Sequence, residues 1–419
     1  MAKNIVVLCD GTWNSADQKS PTNAEKFRLA AVDQAGRQVV RYVPGVGTDP
    51  GVFDKYLGGA FGFGLSARLL EAYTYVTDNY VDGDRIFLLG FSRGAYTARS
   101  AAGMIRNVGV LRPEFRDDGH YRQALAMYRN RSSDRMRPDG EDAVRFRTEH
   151  SYSPEIAFVG VWDTVGALGI PLGGLRWLNF INRRWQFHDT QLSSTIAAAY
   201  HALAIDERRG PFKPTLWQLS DKERADGAEQ QVEQIWFTGV HSNVGGGYAD
   251  AGLSDIALNW MAGKAYEHGV QFRAGEPGKG SSRMQALEKW VATGPRLDGA
   301  LANSRTGVYR LLRPYVRRLG RARSSSTEAA FFTAQRRWDD DSTYRDAALN
   351  LRTYLDGRDF RILPADDPVA PAVPDPGVPA PGLTAPGLTD PGLADPGLAD
   401  SGLPEAGDPG AGKDIGAAA

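Results

Sequence analysis

The chain has 419 residues, of which 42% are hydrophobic and 24% charged, and its formal net charge is −1 at pH 7. This length favours one large α/β domain with an appendage, and the hydrophobic fraction is high enough to form a sizeable core. The single cysteine, Cys9, excludes an internal disulfide, so the fold does not depend on an oxidising compartment. The N-terminus runs directly into an apolar strand, and no run of about 18 apolar residues occurs. We therefore expect a protein that is cytoplasmic or exported without a cleaved signal peptide, and not transmembrane.

The first part of the chain alternates apolar strands with helices, as in parallel sheets. Residues 4–9 (NIVVLC) form a continuous apolar run, which predicts a strand buried on both faces, with Cys9 as an inert buried thiol. The strand ends in a polar turn, residues 10–14 (DGTWN), at the sheet edge where doubly wound folds bind ligands. The pattern that follows predicts a helix over 22–35, a strand over 38–43 and a helix over 65–80.

The stretch 85–99 predicts a strand, a tight turn and a helix, and its turn is a G-x-S-x-G sequence, GFSRG, at residues 90–94. A nucleophilic serine must leave the sheet through a sharp, strained turn, and the two glycines let the strand and the helix approach closely. The N-terminus of that helix carries a partial positive charge and points at the turn, where it would stabilise a developing oxyanion. Ser92 is therefore a candidate nucleophile, and a structural serine in a turn is the alternative.

The rest of the chain continues the strand–turn pattern. Residues 155–161 and 233–238 predict two more strands, which end in the turns WDTVG (162–166) and GVHSN (239–243). The other predicted segments are a surface helical insertion over 112–150 with solvent-exposed His120 and His150, a lid over 170–190, and helices over 194–203, 254–268 and 283–356.

Three polar residues each follow a predicted strand, in the order Ser92, Asp163 and His241, which is the chain order of α/β-hydrolases. Serine, histidine and aspartate divide nucleophilic catalysis among a nucleophile, a general base and a residue that orients the base. Alternatively, Asp163 caps a turn and His241 is a structural histidine. His188 and His201 are weaker candidates for the base, because neither follows a clear strand.

An oxyanion hole is expected beside the serine. Its predicted donors are the backbone N–H of Arg93 and one N–H from Gly11 or Thr12, which follow the first strand. Chemistry of this kind needs no metal or organic cofactor.

The charge is unevenly distributed. Residues 364–419 hold nine acids and one lysine, a net −8, so the remainder of the chain carries +7. The same residues hold twelve of the 24 prolines and a Pro-Gly-Leu pentapeptide repeat, which predicts a disordered acidic tail. We therefore expect a catalytic domain over 1–360 and a tail over 361–419.

Seven arginines and no acid lie between Arg305 and Arg323, interleaved with valine, tyrosine and leucine. This pattern suits an amphipathic segment that contacts an anionic membrane surface. A solvated arginine face on a packed helix is the alternative. No nucleic-acid partner is expected.

Five motifs occur in the order seen in one family. They are residues 10–14 (DGTWN), 44–48 (PGVGT), 90–95 (GFSRGA), 162–166 (WDTVG) and 239–248 (GVHSNVGGGY). Over residues 3–355 the chain resembles the type VI secretion lipase effector catalytic domain family, an α/β-hydrolase family whose characterised members are phospholipases.

The resemblance implies that Ser92, Asp163 and His241 fall on the family's triad and that the loop at residues 10–12 lies beside its oxyanion hole. The chain has Asn243 where the family often has aspartate, which leaves the triad untouched.

The expected fold is thus an α/β-hydrolase fold, a mostly parallel sheet flanked by helices, with helical insertions and the tail. The expected function is serine-dependent hydrolysis of carboxylic esters, with phospholipid acyl esters as leading substrate. A soluble carboxylesterase acting on small acyl esters, and a binding protein on a hydrolase scaffold that has lost turnover, are the alternatives.

Overall fold

The computed structural model describes residues 2–48, 61–130, 133–166, 192–219, 230–273, 294–320, 327–357 and 360–364. The strands are β1 (Asn4–Cys9), β2 (Gln38–Val43), β3 (Arg85–Phe91), β4 (Val110–Leu111), β5 (Ser151–Tyr152), β6 (Ile156–Trp162), β7 (Ala198–Ala204), β8 (Gln231–Phe237), β9 (Glu328–Phe331) and β10 (Ile362–Leu363). The α-helices are α1 (Asn23–Ala30), α2 (Phe61–Asn79), α3 (Arg93–Val108), α4 (Asp118–Arg129), α5 (Glu141–His150), α6 (His241–Gly245), α7 (Gly252–Glu267), α8 (Phe332–Asp340), α9 (Ser342–Ala347) and α10 (Leu349–Leu355).

Eight strands form one sheet in the order β10-β9-β8-β7-β6-β3-β1-β2, and each neighbouring pair is parallel. The predicted fold class, a parallel sheet flanked by helices, is confirmed. Cys9 pairs with Gly90, which pairs with Val161, so these strands end at one level. The turns that follow them therefore meet at one edge of the sheet.

Helices cover both faces of the sheet. On one face α2 and α3 pack on the strands through residues such as Tyr73 and Ile105. On the other face α1 and α7 pack through Phe27 and Trp260. A third cluster, which includes Leu351, joins the β8–β9 side of the sheet to α9 and α10. The central strands β1, β3 and β6 are buried except at Arg85, which is exposed, and Ala157, which is partly exposed, as their continuous apolar sequence requires.

The helix predicted over 194–203 is wrong. Residues 198–204 (AAYHALA) form β7, which pairs with β6 on one side and with β8 on the other. Alanine favours helices, but small side chains are also tolerated in a central strand between two covering layers. Tertiary pairing overrides the local propensity.

Helix α1 is shorter than predicted. It ends at Ala30 rather than at residue 35, because Ala31 is extended and bridges to Phe272.

The continuous helical character predicted over 283–356 is also wrong. Residues 294–320 contain a single 3₁₀ turn, Gly307–Arg310, and within the described ranges 294–320 and 327–357 the first α-helix begins at Phe332. Pro314 and the glycines of this stretch oppose a helix. Both interpretations of the arginine-rich segment place its arginines at a surface, yet Arg317 is fully buried.

The predicted insertion over 112–150 contains α4 and α5 and the antiparallel pair β4–β5. His120 and His150 are partly buried rather than solvated, because their rings lie 5.4 Å apart and both contact Phe115.

Several predicted segments lie outside the described residues, namely the lid over 170–190, His188 and the tail from residue 365 onward. β10 pairs with β9 in parallel, so the sheet continues to Leu363, beyond the predicted domain limit at residue 360. Within the described ranges, none of the helices is long and apolar enough to cross a membrane.

Candidate active site

Ser92 lies in the turn between β3 and α3. Its backbone has φ 58° and ψ −118°, a positive-φ conformation that strains a residue with a Cβ. The Ser92 N–H donates to the carbonyl oxygen of Trp162 at 3.0 Å, which ties this turn to the end of β6. The sequence therefore folds as predicted around this residue, with the side chain at the carboxyl edge of the sheet.

Three of the predicted site residues form a chain of hydrogen bonds. His241 Nε2 lies 2.7 Å from Ser92 Oγ, and His241 Nδ1 lies 2.5 Å from Asp163 Oδ2. Along the chain, Ser92 is 149 positions and Asp163 is 78 positions from His241, and the parallel strands bring the three residues together. All are buried, with exposed fractions of 6% for Ser92, 0% for Asp163 and 4% for His241.

Two groups besides the histidine, Arg317 and the backbone N–H of Ala204, hold Asp163. Arg317 donates from its two terminal nitrogens to Oδ1 at 2.6 Å and to Oδ2 at 2.9 Å, and Ala204 N–H donates to Oδ1 at 3.0 Å. Asp163 itself has a positive φ of 42°, so its backbone is strained as well. Burial alone would raise the pKa of Asp163, but the charge of Arg317 and the hydrogen bond from His241 hold that pKa well below its usual value.

Burial lowers the pKa of the His241 imidazole, and the hydrogen bond and charge of Asp163 offset only part of that effect. At neutral pH the ring is therefore neutral. Because Nδ1 faces a carboxylate, which only accepts, the proton lies on Nδ1 and Nε2 is free to accept the serine proton.

A second carboxylate lies near the histidine. Glu207 is fully buried and accepts the backbone N–H of His241 at 3.2 Å and the Ser304 hydroxyl at 2.9 Å. It also forms a two-point ion pair with Arg209. Burial opposes ionisation of Glu207, but Arg209 more than compensates, so its pKa is lowered. His241 thus lies between two carboxylate–arginine pairs.

Aromatic rings enclose the imidazole. The ring of Phe91 lies 4.7 Å from that of His241, and the ring of Phe212 meets it edge-on at 4.9 Å. Arg209 stacks on Phe212 at 3.5 Å, and Tyr309 meets Phe212 edge-on at 6.2 Å. These contacts fix the ring plane and exclude water from it.

The loop after β1 lies beside the serine, as predicted. A Cβ added at Gly11 would be 2.8 Å from Asn14 Nδ2 and 3.1 Å from Ser92 Cβ, so a side chain here would require these neighbours to shift. Its N–H, however, donates to the Asp10 carboxylate at 2.6 Å. Thr12 Oγ1 is buried and forms no hydrogen bond with the part of the chain that the structure describes.

Asp10 anchors this loop. Its carboxylate accepts from the hydroxyls of Thr22, at 2.5 Å, and Tyr42, at 2.7 Å, in addition to Gly11. Burial raises the pKa of Asp10 to about 6, although these hydrogen bonds oppose the increase. Cys9, one residue earlier, is buried as expected, and burial raises the pKa of its thiol strongly.

His201, a weaker candidate for the base, does not enter the hydrogen-bonded chain. It lies fully buried in β7, and its Nε2 accepts the backbone N–H of Thr164 at 3.1 Å. Among the described residues, no group of three or more histidine, cysteine, aspartate or glutamate side chains is arranged to hold a metal ion.

Sequence reasoning did not find Arg317 or Glu207. Glu207 follows the end of β7, so its position at the carboxyl edge would have followed from a correct strand assignment. Arg317 is 154 residues from Asp163 and follows no strand, so no local pattern identifies it.

A parallel sheet that carries a hydrogen-bonded serine, histidine and aspartate at its carboxyl edge is the arrangement of α/β-hydrolases. Residues 3–264 match the family model described as "T6SS, Phospholipase effector Tle1-like, catalytic domain", and the chain belongs to that family. The family description indicates a phospholipase-like hydrolase.

Similar proteins share only part of their length with this chain. The uncharacterized protein YEL023C of Saccharomyces cerevisiae is 30% identical over 231 residues, which are 50% of this chain and 32% of that protein. A crystal structure of an uncharacterized protein from Pseudomonas aeruginosa is 19% identical with a TM-score of 0.41, and the match covers 70% of this chain and 50% of that one. The Tle1 effector bound to the VgrG spike of the type 6 secretion system is 17% identical with a TM-score of 0.35, with coverages of 60% and 52%. The chain thus spans about a third of the yeast protein and about half of each solved chain.

Proposed function

We propose that the protein is a serine hydrolase that cleaves the acyl esters of phospholipids through Ser92, His241 and Asp163. The observation that carries the proposal is the continuous hydrogen-bonded chain from Ser92 Oγ through His241 to Asp163, at 2.7 and 2.5 Å. The phospholipid substrate is proposed from the family to which residues 3–264 belong.

In the reaction, Ser92 Oγ attacks the ester carbonyl carbon while His241 Nε2 accepts the hydroxyl proton. The tetrahedral intermediate expels the alcohol, which takes that proton, and the acyl group stays on Oγ. A water molecule, deprotonated by His241, then releases the carboxylic acid and restores the serine. Asp163 accepts the Nδ1–H bond throughout, so that it fixes the tautomer and stabilises the imidazolium.

The negative oxygen of the intermediate requires donors beside Ser92. We assign this role to the backbone N–H of Arg93, the first residue of α3, and to that of Thr12. Thr12 is preferred to Gly11, because the N–H of Gly11 already donates to Asp10. The N-terminus of α3 adds a favourable dipole.

A surface near the site suits contact with anionic lipid. Arg310, Arg313 and Arg318 are exposed, and so are Leu311, at 87%, and Val316, at 42%. We call these five residues the exposed tip. It adjoins Tyr309, which reaches the site through Phe212. Arginines favour anionic head groups and exposed apolar side chains favour insertion, so the tip can hold the site against a lipid surface.

The test is hydrolysis of mixed phospholipid vesicles by the full chain, with fatty acid and lysophospholipid measured by mass spectrometry, beside a short water-soluble ester. Ser92→Ala should abolish both activities, and Ser100→Ala, a buried serine of α3 outside the site, should retain them. Hydrolysis of the short ester alone by the wild type would favour the soluble carboxylesterase. Binding of lipid with no hydrolysis of either substrate would favour a binding protein.

A further inference from the structure

We infer that Arg317 is a positioning residue of this site, which holds the Asp163 carboxylate in the orientation that His241 needs and balances its charge. The assignment of the site to ester hydrolysis rests on the proposed function, whereas the contacts of Arg317 with Asp163 do not depend on it. Arg317 is fully buried, and its two terminal nitrogens donate to the two different oxygens of Asp163 at 2.6 and 2.9 Å. This is the two-point contact that the planar guanidinium forms and that lysine cannot.

The guanidinium also connects the carboxylate to the surrounding backbone. It donates to the carbonyl oxygen of Ala204 at 2.8 Å and to that of Phe212 at 2.6 Å. Ala204 ends β7, and its N–H donates to the same carboxylate. The ring of Phe212 packs edge-on against His241. Arg317 therefore fixes Asp163 relative to a strand end and to a ring that supports the histidine.

The arginine changes the charge that the histidine experiences. An isolated Asp163 carboxylate would favour the protonated imidazole strongly, because both groups are buried. With Arg317 attached the pair is neutral overall. Among the described residues, a second neutral pair, Glu207 with its partner Arg209, lies near the ring, and Arg93 follows Ser92 in the chain. The base is therefore kept neutral, and able to accept a proton, at mildly acidic pH.

The experiment compares Arg317→Met and Arg317→Lys with the wild type, and Arg122→Met serves as the matched control because Arg122 is an exposed arginine of α4, outside the site and the exposed tip. The titration midpoint of His241 is measured by NMR of histidine-labelled full-length protein, with the signal assigned from His241→Gln. Kinetics on a short soluble ester are measured across the same pH range. The NMR readout does not depend on turnover.

Arg317→Met should raise the His241 midpoint by about one pH unit, since it leaves the carboxylate uncompensated. The pH–rate profile should shift in the same direction, and kcat should fall on the order of 10²-fold, less than the loss expected when the aspartate itself is replaced. Arg317→Lys should keep the midpoint near the wild-type value while kcat falls about tenfold, because it restores the charge but not the two-point contact. Arg122→Met should match the wild type.

An unchanged His241 midpoint in a folded Arg317→Met protein would overturn the charge-balancing role, and a wild-type kcat in Arg317→Lys would overturn the positioning role. If Arg317→Met does not fold, the lysine variant decides, and a midpoint shifted by a full unit there would contradict the inference. A wild type that hydrolyses no ester would contradict the proposed function, while the NMR midpoints would still test Arg317.

Discussion

Gly245 lies directly against the ring of Phe91, so that a Cβ at this position would be only 1.9 Å from Phe91 Cε2. Phe91 in turn packs on His241 with ring centroids 4.7 Å apart. The absence of one side chain in α6 therefore permits the ring packing that supports the imidazole.

Gly245→Ala should consequently displace Phe91 and with it His241. We expect kcat on a soluble ester to fall on the order of 10²-fold, since displacements of about 1 Å at a catalytic group have effects of that size. The matched control is Gly294→Ala, because a Cβ there would meet nothing within 4 Å and the backbone is unstrained. Equal activities of the two variants, measured after folding is verified by circular dichroism, would show that the contact does not position the histidine.

Wild-type activity should persist into mildly acidic solution. Burial lowers the pKa of His241 below 6.5, so the ring stays neutral, and able to accept the serine proton, as pH falls through 6.5. The pH dependence of kcat/KM on a soluble ester should therefore have its acidic midpoint below 6.5. A midpoint at 7 or above would mean that the carboxylates raise the histidine pKa more than burial lowers it.

His201 should make the fold sensitive to acid. Burial lowers the pKa of His201 to about 3, whereas an exposed histidine has 6.5, so the unfolded chain binds the extra proton between these values. Its contribution to the free energy of unfolding is complete above pH 6.5 and is lost as pH falls below that value.

His201→Gln can still accept the Thr164 N–H but cannot titrate. The stability of the wild type relative to this variant should therefore decrease by about 1 kcal/mol between pH 6 and pH 5. Urea unfolding at both pH values measures this difference. A difference that is independent of pH would contradict the assignment of a buried neutral imidazole.

The exposed tip should matter for vesicles and not for soluble esters. Replacing Arg310, Arg313 and Arg318 with glutamine removes about 1 kcal/mol each of attraction to an anionic surface, which is on the order of 10²-fold in vesicle binding. Binding by the wild type should also weaken as salt is added. Sedimentation with anionic and neutral vesicles measures both effects, and vesicle hydrolysis should fall in parallel while short-ester hydrolysis is kept. Unchanged vesicle binding would show that the tip is only a solvated surface.

The sequence allowed the parallel strands and the positions of Ser92, Asp163 and His241 to be predicted, because continuous apolar runs identify buried strands and polar residues after them gather at one edge. The alanine-rich strand β7 was not predictable in this way, since its composition favours a helix and only pairing with β6 and β8 determines its state. Arg317 was not predictable either. The arginine-rich sequence around it indicates a surface residue. Its burial instead depends on an irregular segment that brings it to Asp163.

The most direct test of the central proposal is covalent labelling of the full chain with a fluorophosphonate, followed by peptide mass spectrometry. This probe phosphonylates a serine that a neighbouring base activates. Stoichiometric modification is expected at Ser92, abolished by Ser92→Ala and strongly slowed by His241→Gln. A wild-type protein that stays unlabelled, or is labelled equally fast when His241 is replaced, would contradict the proposal.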